Sequence, residues 1–363
     1  MRSAHTGCEP TPTPAGEYER TEVTVSTTIN VRSPLRVDFV GMTDYVPACR
    51  QFGGTIINAT INKYIYATLA PRYDSRVILH APDFGDKRVE IPNAANLDSE
   101  GELGLAQHII SRFDLDSGIE LTTCSEMPGG AGLGSSSTIA TCIIAALDAA
   151  TGYRMTDYEI AELARECEAA ALKTTYGWQD QYSPVTGGGV KLMRYWPETS
   201  GRGIEIDRIP LDTRAIARIE KAMVVCYSGI SRPAKSILDA VADGVQAGAG
   251  PVVGALQEMS RLADAIRRSL VNGDIASVGP MLTDVWELHK RLHPDVTNER
   301  LQALFDIALE AGATGGRVCG AGGGGTMVFF AADNREFSVR QALREAEARI
   351  FDCSIDMHGL LRW

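Results

Sequence analysis

Hydrophobic and polar residues alternate in short runs through the first third of the chain, and the period then changes. Leu35-Arg-Val-Asp-Phe-Val40 alternates as a strand does, and the Gly41-Met-Thr-Asp44 turn ends it. Gly53-Gly54 opens an apolar run over 55–62 that leads into another at 64–70, and segments 76–80 and 118–124 add two more strands. From Ser135 onward the apolar positions recur at helical spacing. Residues 135–150 read as a buried helix, and 156–172 as a second one begun by the capping-box pair Thr156 and Glu159. Strands are expected again at 190–193, 204–209, 222–227, 326–331 and 351–356, with helices around 233–242, 252–271, 273–290, 297–311 and 335–349. Glycines and charges between 197 and 220 mark a junction. It divides the chain into a disordered leader at 1–24, rich in proline and threonine, and α+β domains at 25–215 and 216–363.

Composition narrows the class. The 363 residues are 44% apolar and 22% charged, enough for two packed cores and against general disorder. The formal charge of -11, from 46 acidic and 35 basic residues with no large basic cluster, argues against nucleic acid as a partner. Eight scattered cysteines without a C-x-x-C pair read as free thiols in a reducing compartment. No signal-like start and no apolar stretch of membrane length is found. A cytoplasmic enzyme or binding protein, monomeric or homodimeric and away from membranes, is the resulting expectation.

The chemistry concentrates in a few places. Pro128-Gly-Gly-Ala-Gly-Leu-Gly-Ser-Ser-Ser137 sets four glycines and three serines directly before the buried helix. Such a junction brings backbone N–H groups and the helix dipole to bear on a phosphate. The G-x-x-x-x-G-K-[ST] nucleotide loop is absent, but a second glycine block at 315–325 suggests a second cradle and a large multiphosphate ligand. Asp180, in Trp178-Gln-Asp-Gln-Tyr182, either caps the chain or accepts a proton from an attacked hydroxyl. Arg36 is either a strand-edge cation or a partner that keeps Asp180 ionised. Glu168 sits on an alanine-striped helix, where it is either a solvated carboxylate or a Mg²⁺ ligand acting with a serine of 135–137. The histidines form no metal signature, and His289 and His293 are read as structural or substrate contacts.

Taken together, Ser33-Pro-Leu-Arg-Val-Asp-Phe-Val-Gly-Met-Thr-Asp44, the 128–137 loop and Gly320-Ala-Gly-Gly-Gly-Gly325 resemble the three motifs of the galactokinase, homoserine kinase, mevalonate kinase and phosphomevalonate kinase (GHMP) superfamily. Phe52-Gly-Gly-Thr55, Gln179-Asp-Gln-Tyr182 and Ser228-Gly-Ile-Ser-Arg232 look most like the branch acting on D-glycero-D-manno-heptose 7-phosphate. The resemblance implies a GHMP kinase fold, with an N-terminal domain like ribosomal-protein S5 domain 2 and a ferredoxin-like C-terminal domain. It implies ATP and Mg²⁺ as cofactors and a phosphorylated seven-carbon sugar or cyclitol as acceptor, phosphorylated at C1. By the same resemblance Asp180 and Arg36 are catalytic, and Ser136 and Glu168 hold the metal. Gly130, Ala131, Gly132, Leu133, Gly134, Ser135, Ser136, Ser137 and Gly323 bind the nucleotide. Asp44, Gly53, Gly54, Trp178, Ser231 and Arg232 meet the acceptor.

Three departures bear on specificity. The Gly41–Asp44 turn is one residue shorter than the branch's glycine-rich turn and carries Met42, Trp178 stands where that branch commonly has lysine, and Asp38 is unusual in its place. An apolar face there would suit a cyclitol 7-phosphate of valienol type, which lacks the sugar's ring oxygen. Other sugars and small alcohols remain as acceptors, as does a ligand-binding sensor without turnover.

Overall fold

The structure, a computed structural model, describes residues 27–173, 177–231 and 235–363, so the 1–24 leader and Arg232 lie outside it. The first half builds one sheet from β1 (Ile29–Val40), β2 (Gly54–Pro71), β3 (Val77–Ala81), β4 (Lys87–Ile91), β5 (Ile119–Ser125), β6 (Val190–Tyr195) and β7 (Ile204–Arg208). Its helices are α1 (Val46–Phe52), α2 (Gly104–Ile110), α3 (Ser135–Thr151), α4 (Asp157–Leu172) and α5 (Gln179–Val185). Most pairings are antiparallel, and β3 runs parallel to β5.

Although β1 alternates in sequence, every residue from Ser33 to Val40 is buried, because α3 and α5 also pack on it, as do α8 (Gly250–Val271) and α9 (Val278–Lys290) from the second half of the chain. Arg36 and Asp38 are therefore only 3% and 0% exposed. Register shifts against β2 fall between Pro34 and Arg36 and between Asp38 and Val40, bracketing the two charges. Irregularities of this kind bend a strand and re-aim its side chains. The sequence pattern splits 55–70 into two strands at Asn62-Lys-Tyr64. The structure has one, because those polar residues sit half-buried opposite the first irregularity and form no turn.

Helix α3 follows from its composition. Gly134 and Gly152 cap it in left-handed conformations, and the Ile143–Leu147 stretch is buried on all sides against β1, β2 and α4. Each large aliphatic side chain so buried stabilises by roughly 1.5–3 kcal/mol. Helix α4 begins with the expected capping box, in which the Thr156 N–H donates to Glu159 at 2.7 Å.

The second half contains α6 (Thr213–Ala222), β8 (Met223–Tyr227), α7 (Lys235–Gln246), α8 (Gly250–Val271), α9 (Val278–Lys290), α10 (Glu299–Glu310), β9 (Ala313–Val318), β10 (Thr326–Ala331), α11 (Glu336–Glu345) and β11 (Arg349–Phe351). Its antiparallel sheet has the order β11-β8-β10-β9, giving the expected α+β architecture with a ferredoxin-like second half. The chain then returns: β12 (Leu361–Arg362) pairs antiparallel with β1 and joins the first sheet. Among the described residues no helix is long and apolar enough to cross a membrane.

One expectation is corrected. The block 315–325 is not one glycine loop, because Gly315 and Gly316 lie within β9. A Cβ on Gly315 would come 2.0 Å from the Gly279 carbonyl oxygen of α9, and one on Gly316 would come 2.3 Å from the Phe329 ring, so both glycines serve packing. Between 197 and 220 lie the expected strand, β7, and most of α6, whose N-terminus is capped by Asp212 accepting from the Ala215 N–H at 2.7 Å.

Candidate active site

The 128–137 loop turns through Gly130, Gly132 and Gly134 at φ of 72°, 74° and 79°, conformations that favour glycine. It delivers the chain into α3, whose first N–H groups lack intrahelical acceptors and point with the helix dipole toward an anion. The Gly320–Gly325 segment braces the loop from the other half of the molecule. Thr326 N–H donates to the Ala131 carbonyl at 2.8 Å, and a Cβ on Gly132 would lie 2.8 Å from the Cys319 carbonyl oxygen. Gly323 binds sideways, its N–H to Val296 at 2.7 Å and its carbonyl to Asn298 at 3.0 Å, and it does not line the adjoining cavity.

Asp180 stands on the first turn of α5, and its Oδ1 meets Arg36 at 2.8 Å from Nε and 2.7 Å from Nη2. Arg36 also donates through Nη1 to the Gly132 carbonyl at 2.5 Å. Burial opposes the guanidinium charge, but Asp180 and Asp38 outweigh it and raise the Arg36 pKa further. Gly134 is glycine partly for Asp180, since a Cβ there would lie 3.2 Å from that carboxyl carbon.

Glu168 is 1% exposed and has no ion-pair partner among the described residues, which for a carboxylate calls for compensation. Gln181 donates to it at 2.6 Å and to Ser137 at 3.0 Å. Burial pushes the Glu168 pKa up, against hydrogen bonds from Ser136, Ser137 and Gln181. Ser135 Oγ, of the loop lining the same cavity, is buried without a hydrogen-bond partner among the described residues. This all-oxygen donor set at a phosphate loop fits Mg²⁺, which takes few protein ligands and completes its shell with phosphate and water. Among the described residues no cluster of three or more His, Cys, Asp or Glu forms another metal cage.

Three cavities meet at these residues. One of about 230 Å³ lies between the loop, Glu168 and Asp180. A second, about 600 Å³, shares Gly130, Ser135 and Ser136 with it and is lined by Leu79, Phe84, Leu103, Leu105 and Ile139. The third, about 130 Å³, shares Gly134 and Asp180 and adds Met42, Asp44, Tyr45, Gln179 and Leu238. Asp180 thus stands on the wall common to the first and third.

In the third cavity Asp44 accepts from the N–H groups of Trp178 at 2.7 Å and Gln179 at 3.0 Å, so it also anchors the start of α5. Burial pushes its carboxyl up to about 6, the Gln179 hydrogen bond pulls against this, and the Asp180 charge adds to it. Other expected acceptor contacts fall elsewhere. Gly53 and Gly54 do not line the cavity, and a Cβ on Gly54 would strike the Thr43 carbonyl oxygen at 1.9 Å, so this glycine seats the turn. The Trp178 indole is turned into the core, stacked on Tyr195 with ring centroids 5.0 Å apart and under Arg165, leaving only its backbone near Asp44. Ser231 donates to the Gly129 carbonyl at 3.3 Å and so faces the phosphate loop.

Sequence reasoning passed over Gln179 and Gln181, which straddle Asp180; their signal was the Gln-Asp-Gln pattern itself. It also missed the apolar cavity, whose walls bring together β3, the 82–86 turn, α2, β5 and α3, elements that no local sequence pattern shows to be neighbours.

Residues 103–188 match the family profile of the GHMP kinases N terminal domain and residues 262–349 that of the GHMP kinases C terminal. A D-glycero-alpha-D-manno-heptose 7-phosphate kinase of Campylobacter jejuni is 29% identical over 342 residues, spanning 93% of this chain and 99% of that one. A D-glycero-D-manno-heptose 1-phosphate kinase from Bacteroides thetaiotaomicron superposes with a TM-score of 0.74 at 24% identity, covering 92% of this chain and 98% of its own. Lactococcus lactis galactokinase, complexed with galactose, also superposes with a TM-score of 0.74, at 18% identity over 93% of this chain and 95% of its own. Both superpositions speak to the fold.

Proposed function

Since the chain belongs to the GHMP kinase superfamily, ATP-dependent phosphotransferases acting on hydroxyl-bearing substrates, we propose that it phosphorylates the C1 hydroxyl of D-glycero-D-manno-heptose 7-phosphate. The observation that carries the chemistry is Asp180, fixed by Arg36 on the wall shared by the cavity at the phosphate loop and the cavity that Asp44 lines. The choice of acceptor rests on the nearly full-length similarity to a heptose 7-phosphate kinase.

In this reading the nucleoside lies in the apolar cavity against Phe84, Leu103 and Leu105, and the triphosphate runs along the N–H groups of 130–137. Glu168 and Ser136 would hold Mg²⁺, which when bound neutralises charge on the phosphate oxygens. Asp44 accepts from acceptor hydroxyls and turns C1 toward Asp180, while Arg232 meets the distal phosphate. As the C1 oxygen bonds to the γ-phosphorus and the bond to the ADP oxygen breaks, Asp180 takes the hydroxyl proton. Position rather than hydroxyl reactivity selects the product.

One observation favours a cyclitol 7-phosphate instead. Met42, at φ 70° and 5% exposed, lines the acceptor cavity beside Leu238 and offers an apolar face to a ring without the ring oxygen. The test is kcat/KM with ATP for heptose 7-phosphate, a valienol-type cyclitol 7-phosphate and their unphosphorylated forms, with phosphorus NMR of the products. Preference for heptose 7-phosphate and a new C1 phosphate signal supports the proposal, preference for the cyclitol 7-phosphate favours the second reading, and preference for an unphosphorylated form removes the distal phosphate from both.

A further inference from the structure

Behind Asp180 the two sheets are joined by a closed circuit of buried groups. Arg317, on β9, is 0% exposed. Its Nε donates to the Val318 carbonyl at 3.0 Å and its Nη1 to the Phe39 carbonyl at 3.3 Å, and Nη2 lies 3.3 Å from Asp38 Oδ2. The same nitrogen is 3.4 Å from His289 Nδ1. Burial and the Arg317 charge hold that imidazole down to about 3, so it is neutral and supplies no counter-charge. Asp38 is the carboxylate in ion-pair reach of Arg317 among the described residues.

The other oxygen of Asp38 turns to the reaction side. Asp38 Oδ1 accepts the Gly320 N–H at 3.0 Å and lies 3.7 Å from Arg36 Nη1. Gly320 is packed so closely on the phosphate loop that a Cβ would come 3.3 Å from both the Cα and the carbonyl oxygen of Gly132. That carbonyl is the acceptor of Arg36 Nη1 at 2.5 Å. Arg36, Gly132, Gly320 and Asp38 thus close a ring, with Arg317 fastening it to the second sheet. Gly41 makes room for it, since a Cβ there would lie 2.1 Å from Asp38 Oδ2. Along Asp180, Arg36, Asp38 and Arg317 the charges alternate in sign, which is what lets four of them share a buried region. Neither Asp38 nor Arg317 lines any of the three cavities.

We propose that Asp38 and Arg317 are a positioning pair that locks Arg36 and the Gly320 segment in register with Asp180, so that phosphoryl transfer depends on a contact made between the two sheets. The inference rests on the kinase reading of Asp180. Without Asp38 the Gly320 N–H loses its acceptor and Arg36 loses one of its two flanking carboxylates, so the Gly320 segment and the Arg36 guanidinium are no longer tied to one group. A misplacement near 1 Å costs on the order of 100-fold in rate.

The test compares Asp38→Ser, Arg317→Met and the double variant in the full chain, measuring kcat, both KM values and Tm. Each single variant strands a buried charge and should lower both Tm and kcat. The double variant strands none, so it should regain most of the lost Tm while keeping a kcat deficit of about 100-fold at an ATP KM within about twofold of the parent. A double variant with kcat within about threefold of the parent would overturn the proposal and leave the pair a purely structural one. A readout independent of the acceptor is hydrogen exchange at the Gly320 amide, expected to quicken at least about tenfold in the double variant by loss of its acceptor. Unchanged exchange would remove Asp38 from the circuit. Failure of the parent enzyme to turn over any seven-carbon acceptor would instead refute the function proposed above, and the exchange measurement would still decide the pair.

Discussion

Asp180 meets Arg36 through one oxygen and is 29% exposed on the cavity side, a geometry that keeps the carboxylate oriented while leaving it reachable. Asp180→Asn is expected to lower kcat by about 10²–10⁴, with ATP affinity kept; near-normal turnover at saturating substrates would take Asp180 out of the mechanism. Unfolding free energy should fall as well, because Arg36 loses a counter-charge, but by less than the ~3–5 kcal/mol of a wholly buried pair, since Asp38 remains. Asp44 gives a pH prediction. Its folded pKa, about 6, lies above the ordinary 3.8, so the folded state holds the proton more tightly than the unfolded one between those values. Ionised Asp44 is therefore a cost to stability above pH 6, and kcat/KM for the acceptor should drop as pH falls through about 6. Asp44→Asn can still accept from Trp178 and Gln179, so it should lose that limb at a lower plateau and keep or raise Tm at pH 8. A limb that persists in the variant would assign it to another group. The Arg36, Asp180, Glu168 and Ser135–Ser137 cluster was legible in sequence as glycines, serines and isolated charges in apolar runs. The direction of the Trp178 indole was not, because Tyr195 and Arg165, which hold it, are distant in the chain.

At the level of elements, α5 shows why short helices escape pattern reading. It has seven residues, contains Pro184, and has no side-chain cap of its own. Remote groups hold it: Asp44 at its start, and the buried Lys191 ammonium donating to the Ser183 and Gly187 carbonyls at its end. By contrast α3 and α4 carried their own caps and periodicity, and both were read within a residue or so of their bounds. The meeting of α3, α4 and α5 creates the Glu168 pocket, and its role can be probed without touching Asp180. Glu168→Gln should raise the Mg²⁺ concentration needed for half-maximal activity at fixed ATP, while Ser136→Ala should have a smaller effect, since a lost charge outweighs a lost hydroxyl. An unchanged Mg²⁺ titration in Glu168→Gln would make this carboxylate a structural group bound to Gln181.

For the molecule as a whole, alternation and helical spacing were enough to anticipate an α+β chain with two sheets. The glycine runs were misjudged in part because a glycine needed for φ and one needed for close packing look alike in sequence; Gly132 is both, whereas Gly315 serves packing. The return of β12 to β1 had no signal either, being two residues long. That return has a further consequence. Asn30 and Trp363 exchange backbone hydrogen bonds of 2.8 and 2.9 Å, so the ends of the described chain are neighbours. A circular permutant that links them by a short tether and opens the exposed Gly201-Arg202-Gly203 turn keeps every pairing in both sheets. It should match the linear chain of residues 27–363 in turnover and nearly in Tm, and a permutant that folds but fails to turn over would reveal that the site depends on chain order. If activity survives, the two glycine loops, now far apart in the sequence, would be encoded in reversed order, and the order in which the ribosome delivers them would be irrelevant to the chemistry they frame.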